Sequence, residues 1–434
     1  MKVLVVGSGG REHALVRALA RAERCAEVAC APGNAGIARD ARLAPVRVDD
    51  LDALLALVER ERFDLTVVGP ERPLDLGIVD RFRATGHRIF GPSRAAARLE
   101  CSKAFAKTFM ARHGIPTARY RVCESAADAL SVIAGGELGL PIVIKADGLA
   151  AGKGVVVAID RAEADAAIRA AMEDRQFGEA GSRVVIEECL SGPEVSFFAV
   201  CDGRIAVPIG TAQDHKRIFD GDRGPNTGGM GAFAPSPLVD AALGERIMRE
   251  IVDPVLHGMR ADGHEYCGFL YVGLMLTCDG PKVIEFNVRF GDPEAQVVLP
   301  LIESDLVSLL AAAADGRLDS PAIEMSRDVA VGVVLASAGY PGAVDTGVPI
   351  HGLDDASRVR GVTVLHAATA MKEDRLVTSG GRVLTVIGRG ASYDEAIARA
   401  YEGVSKISFD GMQYRKDIGQ KAVGRPVVGS LGSS

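Results

Sequence analysis

Along the first hundred residues, short apolar runs alternate with stretches of helical spacing. KVLVVG, EVACAPG, DLTVVGP and RIFGP are continuous apolar segments that each end in Gly or Pro, with helices expected over 11–21, 51–60 and 78–84. Uninterrupted apolar runs mark strands buried on both faces, so this part of the chain predicts a small doubly wound parallel sheet. Its ligands should sit at the carboxyl ends of the strands. Ser102 is placed to cap a helix over 103–113, which Gly114 and Pro116 end.

The pattern then changes. RYRVC, a helix over 126–133, PIVIKADG, VVVAI, a helix over 162–172 and RVVIEEC form a second unit, in which the glycine-rich LAAGKG lies between two strands. Further strands (EVSFFAV, RIAVPIG, LYVGLML, KVIEFNVRF) surround a loop over 214–237 rich in Gly, Pro and Asn, and loops of that length are uncommon unless functional. After a helix over 305–314 and a connector near 317–327, the segments VAVGVVLASAGYP, TVLHAAT, RVLTVIGRG and SYDEAIARAYEGVSKI predict a smaller α+β domain, followed by a loose tail. In KVIEFNVRF, strict alternation would put Ile284, Phe286, Val288 and Phe290 on one face and Glu285, Asn287 and Arg289 on the other.

Composition narrows the class. A chain of 434 residues should hold two to four domains. Its 50 basic and 57 acidic residues, net −7, include no basic block that could neutralise a run of phosphates, so nucleic acid is not an expected partner. No stretch approaches 18 apolar residues, which argues against a membrane span; the expectation is a cytoplasmic protein, monomeric, acting on small molecules. The eight cysteines are scattered singly without zinc-like spacing and are expected to be reduced.

Two glycine-rich segments follow strands. GSGGRE resembles a dinucleotide turn, but Glu12 occupies the third glycine position and the second strand ends in Ala31-Pro32-Gly33-Asn34, without an acid for a ribose diol. A single phosphate on the helix N-terminus, helped by Arg11, fits better, and a ligand-free turn is the alternative. Gly148 to Gly154 departs from a P-loop in spacing, and Gly154 replaces the Ser/Thr that would hold Mg²⁺. What remains is a loop with Lys153 near its tip, suited to covering a triphosphate, and Lys145 eight residues earlier at a strand end. On KVIEFNVRF, Glu285 and Asn287 can share a hard cation that takes its other ligands from phosphates, and Arg289 can clamp a carboxylate or a phosphoryl group. A half-exposed strand with a Glu285–Arg289 salt bridge is the plain alternative. The turn GDPE adds Asp292 and Glu294 beside it.

Taken together, VVGSGGREHAL, APGNAG, VVGPE, IFGP, SKAFAK, PIVIKADGLAAGKGV, VIEE, QDHKR, GPNTGGMGA and EFNVRFGDPE span nearly the whole chain. With them the chain resembles the glycinamide ribonucleotide synthetase (phosphoribosylamine-glycine ligase) family of ATP-grasp ligases. The resemblance implies an N-terminal doubly wound parallel-sheet domain, a central two-part ATP-grasp fold and a small C-terminal α+β domain. The expected division is 1–102 for substrate binding, 103–121 with 190–327 for the core, 122–189 for the lid, 328–425 for the C-terminal domain and 426–434 for the tail. It also implies ATP-dependent ligation of glycine to 5-phosphoribosylamine through glycyl phosphate, in purine biosynthesis, with Mg²⁺ or Mn²⁺. By resemblance, Lys103, Lys145, Gly152, Lys153 and Gly154 contact the ATP phosphates, Glu187 and Leu190 hold adenine, and Glu194 takes the ribose hydroxyls. Glu285 and Asn287 match the metal ligands. Arg289, Lys145 and Asp292 match catalytic positions, with Gly9, Gly10, Arg11, Asn34, Glu71, Asp214, Lys216 and Arg289 around the substrates. A ligase or carboxylase for a different carboxylate and amine is the alternative enzyme.

Overall fold

The computed structural model describes residues 1–148, 154–319 and 323–425. The N-terminal apolar runs form one parallel sheet: β1 (Lys2–Gly7), β2 (Glu27–Pro32), β3 (Arg42–Leu43), β4 (Leu65–Val68) and β5 (Ile89–Phe90), ordered β3-β2-β1-β4-β5. The order reverses between β1 and β4, which opens a crevice at their carboxyl ends. Helices Gly10–Ala20 and Glu71–Asp75 begin at that crevice. The two-residue β3 and the short helix after β4 escape the sequence pattern because neither is long enough to show a period.

Four antiparallel strands make the second unit, β6 (Tyr120–Cys123), β7 (Ile142–Ala146), β8 (Val155–Ala158) and β9 (Val184–Glu188), ordered β6-β9-β7-β8. Ile142, Ile144, Ile186 and Ala158 pack with Ala164 and Ile168 into a core of its own. Alternation along β7 therefore turns Lys145 to the opposite face.

The third sheet is larger than the sequence predicts. It begins with β10 (Glu194–Asp202) and β11 (Ala206–Asp214), after which the expected loop resolves into the hairpin β12 (Arg217–Phe219) and β13 (Arg223–Asn226) and then β14 (Gly231–Ala234). It continues through β15 (Cys267–Thr277), β16 (Gly280–Asn287), β17 (Val329–Ala336) and β18 (Val362–His366). A side hairpin, β19 (Thr369–Lys372) and β20 (Arg375–Thr378), precedes β21 (Arg382–Gly390). The order β16-β15-β10-β11-β14-β17-β21-β18 is antiparallel throughout, and β14 pairs with β17, so one sheet runs from the central segment into the C-terminal segment. Composition hid β14, because pairing on both sides overrides the low strand propensity of GAFAP and its Gly-rich approach.

The strand KVIEFNVRF departs from strict alternation. Gly273 pairs with Glu285 but Leu274 pairs with Val283, leaving Ile284 as the extra residue of a β-bulge. Val283 and Phe286 are buried in the core while Ile284 is only partly covered, so the expected face for Ile284 is corrected. The strand also stops at Asn287, and Val288 to Phe290 continue as irregular backbone.

Candidate active site

The bulge positions the proposed metal face. Paired residues across an antiparallel ladder share a face, so Glu285 and Asn287 lie with Gly273 and Tyr271 of β15. A Cβ on Gly273 would come within 3.2 Å of the Glu285 Cγ and of the Tyr271 ring, so a larger residue there would press on the Glu285 side chain. Among the described residues Glu285 makes no ion pair within 4 Å. Burial acts to raise its pKa, yet Lys216, Lys145, Lys103 and Arg289 together hold the carboxyl below its ordinary value. Oriented to donate, the Asn287 amide nitrogen reaches the Phe286 carbonyl and Glu100 Oε1, each at 3.2 Å. Its oxygen then takes the other side of the amide, where it faces donors and not acceptors. No group of three or more His, Cys, Asp or Glu side chains suited to a metal occurs among the described residues. One carboxylate and one amide oxygen on one face are hard donors that fit a divalent cation completing its shell with phosphate and water.

Arg289 is not paired with Glu285. Its Nη2 meets Glu100 Oε1 at 2.7 Å, its Nε donates to Glu71 Oε2 at 3.2 Å and its Nη1 donates to the Phe290 carbonyl at 3.2 Å. A guanidinium has five N–H groups, so part of its fork stays available to a ligand. Burial raises the Glu100 carboxyl above its ordinary value, whereas Arg289 and Arg11 overcome the same effect at Glu71 and hold it low. Sequence reasoning missed Glu100, whose partners lie far along the chain.

The lysines converge on a single carboxylate. Lys145 Nζ lies 2.9 Å from Glu187 Oε1 and donates to the carbonyl of the bulged Ile284 at 3.0 Å. Lys107, also unforeseen, lies 2.8 Å from Glu187 Oε2 and donates to Thr117 Oγ1 at 2.8 Å, and that hydroxyl donates to the Val283 carbonyl at 2.6 Å. All three charged side chains are buried. Burial brings the Lys107 ammonium down to about 8, with Glu187 opposing the fall. The Glu187 carboxylate is thus committed to two lysines, and an adenine contact there would use backbone. Leu190 follows two residues after the end of β9.

Lys103 Nζ donates to the Gly148 carbonyl at 2.8 Å, and burial, with Lys145 adding repulsion, lowers its pKa. Ser102 caps the helix Lys103–Arg112 as expected, and Asp147 docks on the same helix end through Ser102 Oγ at 3.0 Å and the Ala104 N–H at 3.1 Å. Gly154 accepts from the Ala146 N–H at 2.8 Å. Gly152 and Lys153 lie outside the described residues, as does the tail.

Glu194 and Lys216, assigned separately to ribose and glycine, meet each other at 2.7 Å. Burial opposes a charge on Lys216, but Asp214 and Glu194 hold its pKa well above normal; burial raises Asp214, with Lys216 opposing. Burial and the Asp214 charge push the Glu294 carboxyl up to about 7, and Ser196 Oγ, 3.2 Å from Tyr271 Oη, donates to it at 3.3 Å. His215, within QDHKR, is buried against Phe233, and neither ring nitrogen has a hydrogen-bond partner among the described residues.

At the N-terminal crevice, Arg11 Nε meets Glu12 Oε1 at 2.6 Å and its Nη1 donates to the Phe290 carbonyl at 3.2 Å, so it is buried between its own helix and the segment that follows β16. Asn34 is also engaged: Nδ2 donates to the carbonyls of Ser8, His366 and Ala367, and Oδ1 accepts from Gly36 and Ile37. Gly9 and Gly10 lie against Asp292 and Gln296, and a Cβ on Gly10 would meet Gln296 Nε2 at 2.6 Å. Gln296 Nε2 donates to Asp292 Oδ1 at 2.7 Å while its Oε1 is buried without a partner among the described residues. From the C-terminal segment, Arg382 Nη1 donates to the carbonyls of Gly228 at 2.5 Å and Asp292 at 2.7 Å and lies 3.3 Å from Asp292 Oδ1. Gln296 and Arg382 carried no motif signal that sequence reasoning used.

Comparison with known proteins finds matches along nearly the whole chain. Models of the phosphoribosylglycinamide synthetase N domain, ATP-grasp (A) domain and C domain match residues 1–100, 101–295 and 330–421. The chain is 53% identical over 431 residues to a phosphoribosylamine--glycine ligase of Ralstonia nicotianae, covering 98% of this chain and 100% of that one. It is 54% identical over 429 residues to one of Xylella fastidiosa, covering 98% and 99%. The crystal structure of the phosphoribosylamine--glycine ligase of Thermotoga maritima superposes with a TM-score of 0.85 at 37% identity, covering 96% of this chain and all of that one. A biotin carboxylase of Campylobacter jejuni in complex with an ATP analogue shares the fold alone, with a TM-score of 0.73 at 16% identity over 98% of this chain and 95% of that one. The chain therefore belongs to the phosphoribosylglycinamide synthetase family.

Proposed function

We propose that this enzyme ligates glycine to 5-phosphoribosylamine at the expense of ATP, forming glycinamide ribonucleotide, ADP and phosphate in purine biosynthesis. The observation that carries the reading is the set of cations, Lys103, Lys145, Lys216 and Arg289, whose charges act on the Glu285 carboxylate although none of them ion-pairs with it among the described residues. Such a concentration of positive charge suits a triphosphate and a phosphoryl group in flight.

In the first step a glycine carboxylate oxygen attacks the γ-phosphorus and the bond to the β-phosphate oxygen breaks, giving glycyl phosphate and ADP. In the second the amine attacks the acyl carbon, the carbon–oxygen bond to phosphate breaks, and the nitrogen gives up a proton. Lys103 and Lys145, with Gly154 and the loop containing Gly152 and Lys153, hold the phosphates. Backbone at Glu187 and Leu190 holds adenine, and Glu194 the ribose. Glu285 and Asn287 hold the divalent cation, Mg²⁺ with Mn²⁺ as a substitute, which neutralises phosphate charge. Arg289, Asp292, Asp214 and Lys216 surround glycine and its phosphate. Gly9, Gly10 and Glu71 line the ribosylamine side, where Arg11 and Asn34 act by fixing the strand ends.

The same reading divides the chain at about 102, 121, 189 and 327, with a C-terminal part that completes the site through Arg382, and takes the protein as a cytoplasmic monomer without nucleic-acid partners. No described helix is long and apolar enough to cross a membrane. Mass spectrometry of the product from ATP, glycine and phosphoribosylamine tests the assignment. Glycinamide ribonucleotide is expected, whereas ADP release only with bicarbonate or another acid would overturn it.

A further inference from the structure

We propose that Glu100 is a positioning residue for the cation seat, one carboxylate that fixes the Asn287 amide and the Arg289 guanidinium together. The inference rests on the reading of Glu285 and Asn287 as cation ligands. Glu100 lies in the last turn of the helix Arg94–Cys101, and its side chain is buried against the end of β16 and the residues that follow it. Its Oε2 accepts the Val288 N–H at 2.7 Å, and its Oε1 lies 2.7 Å from Arg289 Nη2 and 3.2 Å from the Asn287 amide nitrogen.

Three successive residues thus converge on one side chain 188 positions away in sequence. The chemistry needs a carboxylate. All three groups are donors, so an acceptor-only side chain satisfies them, whereas an amide would present N–H to N–H at one of them. The consequence for Asn287 is directional. With its nitrogen held by Glu100 and the Phe286 carbonyl, its oxygen is the atom left for a cation on the face shared with Glu285. The opposite amide orientation would aim the oxygen at two acceptors. Groups that orient a metal ligand typically change metal affinity by about 10- to 100-fold when removed.

Mn²⁺ binding to the full chain in the presence of ADP, followed through the electron paramagnetic resonance of free Mn²⁺, separates this proposal from the one beneath it. The proteins compared are wild type, Glu100→Gln, Asn287→Ala and the double variant, each checked by thermal unfolding. Both single changes should weaken Mn²⁺ binding by about 10- to 100-fold. The double variant should bind no more weakly than Asn287→Ala alone, because Glu100 would have no cation ligand left to orient. Normal Mn²⁺ affinity in Glu100→Gln alongside a loss in Asn287→Ala overturns the positioning role, and so do additive losses in the double variant. Unchanged binding in Asn287→Ala overturns the cation seat itself. If Glu100→Gln does not fold, Glu100→Asp, too short to reach Asn287 and Val288 together, is expected to show the same loss and the same non-additivity.

Discussion

Glu285 lies among four cations without ion-pairing to any described one, and its low pKa depends on all of them acting together. Glu285→Ala should cost several kcal/mol of transition-state stabilisation, at least about a hundredfold in kcat/KM; an ADP-release assay that shows wild-type turnover would contradict the assignment. The buried histidines give a pH signature. Burial, reinforced by nearby cations, lowers His215 from 6.5 to about 3, and burial with His13 and Arg39 does the same to His366. Between those values the unfolded chain takes up protons that the folded chain refuses, so stability is full above pH 6.5 and falls as the pH drops through this window. Urea unfolding at several pH values should show a shallower acid loss in His215→Leu than in wild type. Equal slopes would rule out this contribution. At this scale Glu285, Asn287, Lys145 and Lys103 were legible because each sits in a recognisable run. Glu100, Lys107 and Arg382 were not, because their meaning comes from partners far along the chain, as in Lys107–Glu187 and Glu100–Val288, and Gln296 reads in sequence as an ordinary residue of a short helix.

The elements repeat that lesson. Continuous apolar runs predicted the parallel sheet, since burial on both faces leaves a direct trace in sequence. A bulge leaves none. One extra residue at Ile284 keeps Glu285 on the ligand face while offering the Ile284 carbonyl to Lys145, and alternation alone placed Ile284 wrongly. The pairing of Gly273 with Glu285 yields a prediction about the strand pair. Gly273→Ala would press a methyl group against the Glu285 side chain and the Tyr271 ring at 3.2 Å. Circular dichroism should stay native, while the Mn²⁺ concentration for half-maximal activity rises by about tenfold, within the range for disturbed ligand orientation. Unaltered metal dependence would show that the carboxylate has room to adjust.

Across the whole molecule, the C-terminal segment is a structural continuation of the core sheet and not an appended module. Pairing of β14 with β17 carries the ladder across, Asn34 ties β2 to His366 and Ala367, and the His366 N–H donates to His13 Nδ1 at 2.8 Å. A chain cut after residue 327 would expose the β14 edge and the apolar positions beneath it, so it should aggregate when expressed. A soluble, monomeric truncation with native circular dichroism would contradict that. Arg382 gives the same unit a place beside the chemistry: Arg382→Ala frees Gly228 and Asp292 from their shared anchor and should lower kcat by about tenfold or more, as lost positioning does. The central claim, that ATP phosphorylates the glycine carboxylate among these cations, is tested most directly with glycine labelled in both carboxylate oxygens with ¹⁸O. Mass spectrometry of the released phosphate should find one ¹⁸O per turnover, with the other retained in the amide. Phosphate free of label would contradict the account.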